Sequence, residues 1–298
     1  MKIAVVGAGA VGCYFGGMLA RAGARVTLIG RQQHVDAILR DGLLLDVSGI
    51  QERVKVSAST ELSAVRESEI ILFCVKTVDT ETVARSLGPH LPKGAVVISL
   101  QNGVDNVRRI YESSGIEAVS AVVYVAAAMA SAGHVKHSGG GRLIIDGANP
   151  KLELETVTAM FEDAGIPCRI SQSIDKELWI KMTMNCAYNA ISALGRARYM
   201  RILQSSVTRD LMEKVIMEVV AVAQAGGITL SGPDMVEAAL KLGNAMAEAT
   251  SSTAQDIERG RPTEIDSLNG YVVRRGEELD VPVPINFTLY ALIKLLDG

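Results

Sequence analysis

Aromatic residues are scarce in this chain of 298 residues: 4% are Phe, Trp or Tyr, although 48% are hydrophobic. The core must therefore be built mostly from Ala, Val, Ile, Leu and Met side chains. The length exceeds the roughly 100–200 residues of an ordinary domain. The sequence therefore predicts a globular protein of two domains.

Cysteine is also rare, and its spacing excludes a disulfide framework or a CxxC metal site. Most of the four cysteines lie in apolar runs, where a thiol behaves as a small hydrophobe; they are Cys13, Cys74, Cys168 and Cys186. This usage is typical of reduced thiols, so we expect a cytoplasmic protein. Lys2 leads directly into the first apolar run, and no separate signal peptide is expected.

Long apolar runs and strong charge asymmetry are absent from the sequence too. The longest apolar run, residues 121–130, is shorter than the about 20 residues that span a bilayer. The formal net charge is -3, and Lys and Arg form no block. We therefore expect neither a membrane nor a nucleic-acid partner.

The first half of the chain contains short runs rich in Val and Ile, separated by helical patterns. Their apolar residues do not alternate with polar ones, which is typical of strands covered on both faces. The pattern predicts a Rossmann-type, doubly wound parallel sheet. Predicted strands cover residues 2–7, 25–30, 69–76, 95–101, 118–125 and 142–146, with Gly139, Gly140 and Gly141 forming a turn between Val135 and Leu143.

In the second half, strand patterns largely stop and helical periodicity takes over. Helices are predicted at residues 177–192, 206–225, 233–258 and 262–278, with Pro233 and Pro262 each opening a helix. We therefore predict an α/β domain at residues 1–170 and an all-helical domain at residues 171–298.

A GxGxxG motif directly follows the first predicted strand, with Gly7, Gly9 and Gly12 as its glycines. They allow a tight turn, close approach of a pyrophosphate to the backbone, and close packing of the next helix on the strand. Amides at the start of that helix would bind the phosphate charge. The context of strand, helix and second strand favours a dinucleotide site over an empty glycine-rich turn.

The residue after the second strand indicates which dinucleotide binds. Sites for NAD carry Asp or Glu there, whereas this chain has Gly30 and Arg31. A guanidinium suits the 2′-phosphate of NADP(H), which we therefore predict as the cofactor. The alternative is that Arg31 is an ordinary solvated loop residue.

Two more polar residues follow predicted strands, at the carboxyl edge where open α/β sheets bind ligands. Lys76 is suited to neutralise cofactor phosphate, and Asn102 to orient nicotinamide or substrate. The alternative for each is a polar residue that simply ends a strand or makes a turn.

Lys181, Asn185 and Asn189 recur every four positions and so share one helix face, among apolar neighbours. Burial would lower the lysine pKa toward the range useful for proton transfer. A structural polar stripe is the alternative. Further on, Asp256 lies on a predicted helix and Glu264 in a first helical turn, where an acid by itself usually complements the helix dipole.

Taken together, these segments resemble the ketopantoate reductases (2-dehydropantoate 2-reductases) over nearly the whole chain. The matching motifs are GAGAVG at Gly7, VK at Lys76, QNG at Asn102, ELWIKMTMNCAYN around Lys181, and SSTAQDIERGRPTEIDSLNG around Ser252 and Glu264. The resemblance implies NADPH-dependent reduction of 2-dehydropantoate to pantoate, a step of pantothenate and coenzyme A synthesis.

The resemblance also implies residue roles. Lys181 would be the general acid and Glu264 would orient it and the substrate. The residues implied to bind substrate are Asn102, Asn185, Asn189, Ser252 and Asp256. The residues implied to contact the cofactor are Gly7, Ala8, Gly9, Ala10, Val11, Gly12, Arg31, Lys76, Asn102 and Glu264.

One segment departs from the family pattern: residues 122–125 read VVYV where Thr and His are expected. Another 2-keto acid is therefore an alternative substrate. The sequence also leaves open a related β-hydroxyacid dehydrogenase and a non-catalytic NADPH sensor. No metal is predicted, because a strand would point His134 and His137 to opposite faces. The apolar helices of the second domain are compatible with a homodimer.

Overall fold

The structure is a computed structural model that describes residues 1–148 and 154–297. The chain divides into two compact units, Met1–Ile174 and Asp175–Gly298. The first unit is an α/β structure around a 10-stranded sheet, and the second is built from helices.

The strands of the first unit are β1 Lys2–Val6, β2 Arg25–Ile29, β3 Leu43–Val47, β4 Ile50–Val54, β5 Ser57–Ser59, β6 Ile70–Phe73, β7 Val96–Ser99, β8 Ala118–Ser131, β9 His134–Asp146 and β10 Cys168–Ser171. Its helices are α1 Ala10–Arg21, α2 Gln32–Asp41, α3 Thr80–Leu87, α4 Asn106–Ser114 and α5 Leu154–Asp163.

The sheet is dominated by parallel pairs. Its strand order is β4-β3-β9-β8-β7-β6-β1-β2-β5, and β10 pairs with β9. Strands β8, β7, β6, β1, β2 and β5 are parallel to one another, whereas β8–β9 and β3–β4 are antiparallel. The predicted Rossmann-type sheet is confirmed, with an added antiparallel region.

Helices cover both faces of the parallel part, as the continuous apolar runs predicted. Ile3 and Val5 of β1 point into a core shared with Phe15 of α1. Ala4 and Val6 point to the other face, in a core shared with Ala84, Leu87 and Ile110 of α3 and α4. Alternate residues of one strand thus bury apolar area on opposite faces, which is why no polar alternation appears in the sequence.

The predicted turn at Gly139, Gly140 and Gly141 is wrong, because these residues lie inside β9. The chain reverses earlier, at Gly133 (φ 68°), between β8 and β9. Gly140 and Gly141 have φ values of 72° and 107° at a bulge, where the pairing with β8 shifts by one residue. The three glycines therefore shape a bulged strand and do not end it.

Four strands escaped prediction: β3, β4, β5 and β10. β5 has three residues and pairs with β2, and β10 has four and pairs with β9. β4 is mostly exposed and polar and is paired to β3. Strands as short or exposed as β4, β5 and β10 lack a clear period-2 pattern, and they form because a neighbouring strand offers free backbone groups.

The helices of the second unit are α6 Ile174–Gly195, α7 Tyr199–Gln204, α8 Ser206–Ala225, α9 Gly232–Ala245, α10 Ser252–Glu258, α11 Asn269–Glu278 and α12 Pro284–Leu296. The prediction of an all-helical second domain is confirmed, as are helices at α6, α8 and α11. Helices α7 and α12 were not predicted.

The predicted single helix at 233–258 is wrong, because it is broken into α9 and α10. The carbonyls of Ala247 and Ala249 accept bonds from the amides of Met200 and Tyr199, at the start of α7. The Ser251 hydroxyl then caps α10 by accepting from Ala254 N at 3.1 Å. Competing partners from another helix thus take the groups that would continue α9.

Pro233 lies in the first turn of α9, as predicted. The prediction that Pro262 opens a helix is wrong, and Glu264 is not in a first helical turn. Glu264 immediately precedes a single 3₁₀ turn, Ile265–Ser267, and α11 begins only at Asn269. All four cysteines are free thiols. Within the described residues, no helix has the length and apolarity needed to cross a membrane.

Candidate active site

The loop after β1 has the packing that its three glycines predict. A Cβ on Gly7, which has φ 109°, would lie 2.6 Å from the carbonyl carbon of Cys74 at the end of β6. A Cβ on Gly12 would lie 2.1 Å from the Gly7 carbonyl oxygen and 2.8 Å from Val5 Cγ1. Both positions are closed to any larger residue, because the turn and the start of α1 pack directly on the strands.

Gly9 differs from its two neighbours, because a Cβ there would meet no heavy atom within 4 Å. Gly9 is the N-cap of α1, and among the described residues no side chain caps this helix start. The open space lets a dinucleotide pyrophosphate approach the backbone, and the uncapped helix N-terminus offers it free amides. The loop therefore fits the predicted cofactor.

At the end of β2, the packing excludes the side chain that NAD-binding proteins carry. A Cβ on Gly30 would lie 2.5 Å from the Ala8 Cβ, so no carboxylate can stand at position 30. The next residue, Arg31, is exposed and is the N-cap of α2. Its guanidinium is a positively charged group just after β2.

Lys76 and Asn102 lie on adjacent loops at the carboxyl ends of β6 and β7. Both are partly buried. The Thr77 hydroxyl donates to the Asn102 carbonyl oxygen at 3.0 Å, and Asn106 Nδ2 donates to the same oxygen at 2.7 Å. The two predicted residues thus belong to one connected edge, beside the loop at Gly7.

Gln101 holds this edge together, a role that was not predicted from the sequence. Its Nε2 donates to the Val75 carbonyl oxygen at 3.0 Å and to Thr80 Oγ1 at 2.8 Å. Its Oε1 accepts from Ser99 Oγ at 3.0 Å. Gln101 is 6% exposed, and a buried amide with partners on two loops fixes their spacing. The QNG motif was the only signal in the sequence.

An ion pair braces the helices behind these loops. The Arg109 guanidinium donates to both carboxylate oxygens of Glu81, at 2.7 and 2.9 Å, and to the Thr77 carbonyl oxygen at 3.0 Å. The paired guanidinium lowers the pKa of Glu81. This forked contact joins α4 to α3 and to the loop that carries Lys76.

In the second unit, Lys181 lies in the middle of α6 with an unusual protonation equilibrium. Burial lowers its pKa from 10.5 to about 8, while the charge of Glu264 acts in the opposite direction. An ammonium whose pKa is close to neutral pH can both hold and release a proton there. Lys181 and Glu264 thus interact electrostatically although they are far apart in the chain.

Asn185 and Asn189 follow Lys181 at one-turn intervals on α6, as predicted. Asn185 is partly buried and Asn189 is 4% exposed. The Asn189 carbonyl oxygen accepts from Ser251 Oγ at 3.0 Å, and the Ser251 amide donates to Ser192 Oγ at 3.2 Å. Ser251, which was not predicted as a site residue, therefore joins the start of α10 to α6.

Ser252 and Asp256 lie on α10, which Ser251 joins to α6. Ser252 is exposed at the first helical residue, and Asp256 is partly buried one turn later. The Asp256 carbonyl oxygen accepts from the Arg261 amide at 2.8 Å, which ends the helix and turns the chain toward Glu264.

The backbone on both sides of Glu264 is anchored. The amide and hydroxyl of Thr263 donate to the two carboxylate oxygens of Asp297, at 3.0 and 2.7 Å. Ile265 is fully buried, and its amide donates to Thr263 Oγ1 at 3.3 Å. Asp297 directly follows α12, so the C-terminal helix, absent from the sequence-based prediction, determines where Glu264 lies.

The two histidines have separate surroundings. His137 is buried and stacks on Tyr14 with ring centroids 4.4 Å apart, and its Nε2 lies 3.2 Å from the Gly140 carbonyl oxygen. His134 Nε2 lies 4.0 Å from Asp46 Oδ2. Within the described ranges, no group of three His, Cys, Asp or Glu residues is arranged to hold a metal ion.

The atypical segment at residues 122–125 lies in β8. Val122 and Val123 are buried, whereas Tyr124 and Val125 are partly exposed. The Arg142 guanidinium carbon lies 4.4 Å from the centre of the Tyr124 ring, a cation–π contact between β9 and β8. None of the three valines can donate or accept a hydrogen bond through its side chain.

Comparison with protein families gives two matches that together cover nearly all of the chain. The family described as "Ketopantoate reductase PanE/ApbA" matches residues 3–150, and "Ketopantoate reductase PanE/ApbA C terminal" matches residues 173–297. The border between the two matches falls close to the division between the two compact units.

Curated relatives match over the full length. A 2-dehydropantoate 2-reductase of Halobacterium salinarum is 33% identical over 99% of this chain and 98% of its own length. A 2-dehydropantoate 2-reductase of Pyrococcus abyssi is 34% identical over 99% of this chain and 97% of its own length.

Solved structures share the architecture. A PanE/ApbA family ketopantoate reductase from Ralstonia eutropha has a TM-score of 0.94 at 46% identity, and the match covers 100% of this chain and 98% of that protein. A D-mandelate dehydrogenase solved with NADH and anilino(oxo)acetate has a TM-score of 0.92 at 24% identity, covering 100% of this chain and 98% of that protein. The second likeness concerns the fold alone.

Proposed function

This chain belongs to the ketopantoate reductase family, and we propose that it reduces 2-dehydropantoate to pantoate with NADPH. The observation that carries the proposal is Lys181, whose pKa is lowered by burial to about 8 and which interacts electrostatically with Glu264. A buried lysine with a lowered pKa beside a carboxylate is the arrangement that general acid–base catalysis uses. Pantoate made in this way would serve pantothenate and coenzyme A synthesis in the cytoplasm.

When bound, NADPH supplies the hydride that reduces the C2 ketone of the substrate. Lys181 acts as the general acid: its ammonium donates a proton to the ketone oxygen as negative charge develops there. Glu264 stabilises the charged form of Lys181 and keeps it protonated at neutral pH. The lysine must be recharged with a proton from solvent after each turnover.

The remaining site residues bind and orient. On the helical unit, Asn185 and Asn189 hydrogen-bond polar groups of the substrate, Ser252 holds its carboxylate, and Asp256 supports the same region. On the α/β unit, Asn102 orients nicotinamide or substrate and Lys76 neutralises phosphate. The loop from Gly7 to Gly12, with Ala8, Ala10 and Val11 between the glycines, receives the pyrophosphate through its backbone amides, and Glu264 completes the cofactor contacts.

The proposal is tested by following NADPH oxidation with 2-dehydropantoate and with a panel of smaller and larger 2-keto acids. We expect kcat/KM for 2-dehydropantoate to exceed that of every other acid by at least about tenfold, the discrimination that a few specific contacts provide. If other 2-keto acids are reduced but 2-dehydropantoate is not, the named substrate is wrong. If NADPH binds but no acid is reduced, the proposal that the protein is an enzyme is wrong.

A specific observation supports a second candidate, the reduction of another 2-keto acid. Val122 and Val123 are buried in β8, and Tyr124 is held by Arg142, in the segment where the family carries Thr and His. A loss of hydroxyl and imidazole donors in this segment favours a less polar substrate. The same panel distinguishes the two candidates.

The value of kcat/KM should decrease at alkaline pH. Lys181 must be protonated to act, and its pKa is about 8, so kcat/KM should decrease above about pH 8, approaching a tenfold loss per pH unit. Glu264→Gln removes the charge that raises this pKa, so the alkaline limb should move to lower pH. Glu258→Gln, which removes an exposed carboxylate of α10, is the control. A flat profile up to pH 10 would contradict the role of Lys181.

Cofactor choice should depend on Arg31. Arg31→Ala removes the guanidinium predicted to bind the 2′-phosphate, so KM for NADPH should rise about 10–100-fold, the value of hydrogen bonds to a charged group. KM for NADH, which lacks the phosphate, should change less than about twofold. Gln32→Ala, at the exposed neighbouring position, is the control. An equal effect on both cofactors would mean that Arg31 only supports the loop.

A further inference from the structure

A polar cavity of about 500 Å³ opens at the amino-terminal edge of the parallel strands. Lys2 and Arg25 are the first residues of β1 and β2, and Ser57 is the first residue of β5. Ser63, Arg66 and Ser68, which precede β6, complete the polar lining. The motif at Gly7 lies at the other end of β1, so this cavity is separate from the proposed cofactor loop.

The lining carries excess positive charge. Lys2, Arg25 and Arg66 face one carboxylate among the lining residues, Glu67, and a second carboxylate beside the lining, Glu69, accepts from the Lys2 amide at 2.7 Å. Lys2 Nζ lies 2.6 Å from Glu67 Oε2, so this pair is neutralised internally. Arg25 contributes to lowering the pKa of Glu67 but makes no close ion pair within the described chain, and Arg66 contacts only His90 Nδ1, at 3.3 Å. Two guanidinium groups are therefore available to an anion.

Four hydroxyl groups add donors to the same cavity, those of Thr27, Ser57, Ser63 and Ser68. None of them forms a hydrogen bond with another residue in the described part of the chain. Ser68 is 6% exposed as a whole residue and borders the cavity. Each of these hydroxyls can donate one hydrogen bond and accept others, so together they can bind several oxygen atoms of a ligand.

We propose that this cavity binds a small phosphomonoester dianion. Guanidinium and hydroxyl groups are donors that suit the oxygens of a phosphoryl group, which accept bonds from several directions. A bare phosphate ion is much smaller than 500 Å³, so the cavity has room for an attached carbon skeleton. Ala64, which is partly exposed and also lines the cavity, offers that skeleton an apolar contact.

This site goes beyond the proposed function and does not depend on it. The five residues of β1 separate the cavity from the loop at Gly7 by about 16 Å, from a rise of about 3.3 Å per residue. A ligand here should therefore bind together with the dinucleotide and not compete with it. Ligands of open α/β sheets normally bind at the opposite, carboxyl edge, which makes the charge at this edge unexpected.

The test is calorimetric titration of the full-length protein, saturated with NADP⁺, with glycerol 3-phosphate, inorganic phosphate and succinate. We expect one saturable site for glycerol 3-phosphate, tighter than for either other probe. In Arg25→Gln/Arg66→Gln, Kd should rise about tenfold or more, because each lost charge-assisted bond is worth roughly a factor of ten. Ser68→Ala should raise it about threefold or more.

The control is Arg85→Gln/Lys136→Gln, which removes the same charge from exposed positions of the same unit. Its Kd should match wild type within about twofold, and kcat with the keto acid substrate should be unchanged in every variant. Absence of saturable binding to wild type would overturn the proposal. Equal weakening in the control pair, or tighter binding of succinate, would do so as well.

Discussion

Replacing Lys181 with alanine is expected to lower kcat by about 10²–10⁴-fold, the usual contribution of a positioned general acid. The reason is that the alkoxide formed by hydride addition would have to take its proton from water. The measurement is NADPH oxidation at saturating substrate, together with a titration of NADPH binding. Binding should be unchanged within about twofold, because Lys181 is proposed to act on the substrate oxygen and not on the cofactor.

The matched control is Lys176→Ala, which removes an exposed lysine from the same helix. It should keep full activity. A loss of activity in both variants would mean that α6 had been disturbed and not that a proton donor had been removed. Retained activity in Lys181→Ala would eliminate the general-acid role.

The pH dependence of the free energy of unfolding tests the pKa of Lys181 independently of activity, because this pKa is lowered in the folded protein. The pKa is about 8 when folded and 10.5 in the reference state, so keeping the ammonium charged costs stability below pH 8. That cost is relieved as the pH rises from 8 to 10.5. Lys181→Met should therefore be more stable than wild type by about 1–3 kcal/mol at pH 7, and the gain should vanish above about pH 10.5.

Gly12→Ala should mainly lower the stability of the fold, whereas Gly9→Ala should mainly weaken NADPH binding. The added methyl at Gly12 would lie 2.1 Å from the Gly7 carbonyl oxygen, so Gly12→Ala should lower the free energy of unfolding by about 2–4 kcal/mol. At Gly9 the methyl meets nothing within 4 Å, and Gly9→Ala should cost less than about 1 kcal/mol. The methyl occupies the space proposed for the pyrophosphate, however, so KM for NADPH should rise at least about tenfold.

Denaturant unfolding and NADPH titration of both variants test this contrast. Gly88→Ala is the control, because a methyl there also meets no atom within 4 Å but lies after α3, away from the loop. It should change neither quantity. Normal NADPH binding by Gly9→Ala would show that the cofactor does not approach the backbone at this loop.

Features that depend on local pattern could be predicted from the sequence. The parallel strands, the turn at Gly7 and the continuous helix around Lys181 all follow from periodicity and from residues a few positions apart. The resemblance to ketopantoate reductases rests on the same local motifs, and the family matches confirm it. Helix ends were less predictable: just beyond the end of α9, the carbonyl groups of Ala247 and Ala249 accept from amides of α7, a contact between residues far apart in the chain.

The candidate site shows the same division. Its residue types are local facts: a glycine-rich turn, an arginine after β2, a lysine and two asparagines on one helix face. Their properties are set by groups distant in sequence. Gln101 joins two loops, Asp297 anchors the segment of Glu264, and burial moves the pKa of Lys181 to about 8.

The sequence by itself therefore determined the fold class, the glycine-rich loop and the choice of Lys181 as the proposed proton donor, because each depends on the period of apolar residues or on short motifs. Only the tertiary structure decided that the glycines near 140 form a bulge and that Glu264 precedes a 3₁₀ turn. It also decided that burial disfavours the charged form of Lys181 in the folded protein. The physical reason is that close packing, desolvation and electrostatic interaction act between atoms that are near in space, whatever their separation along the chain.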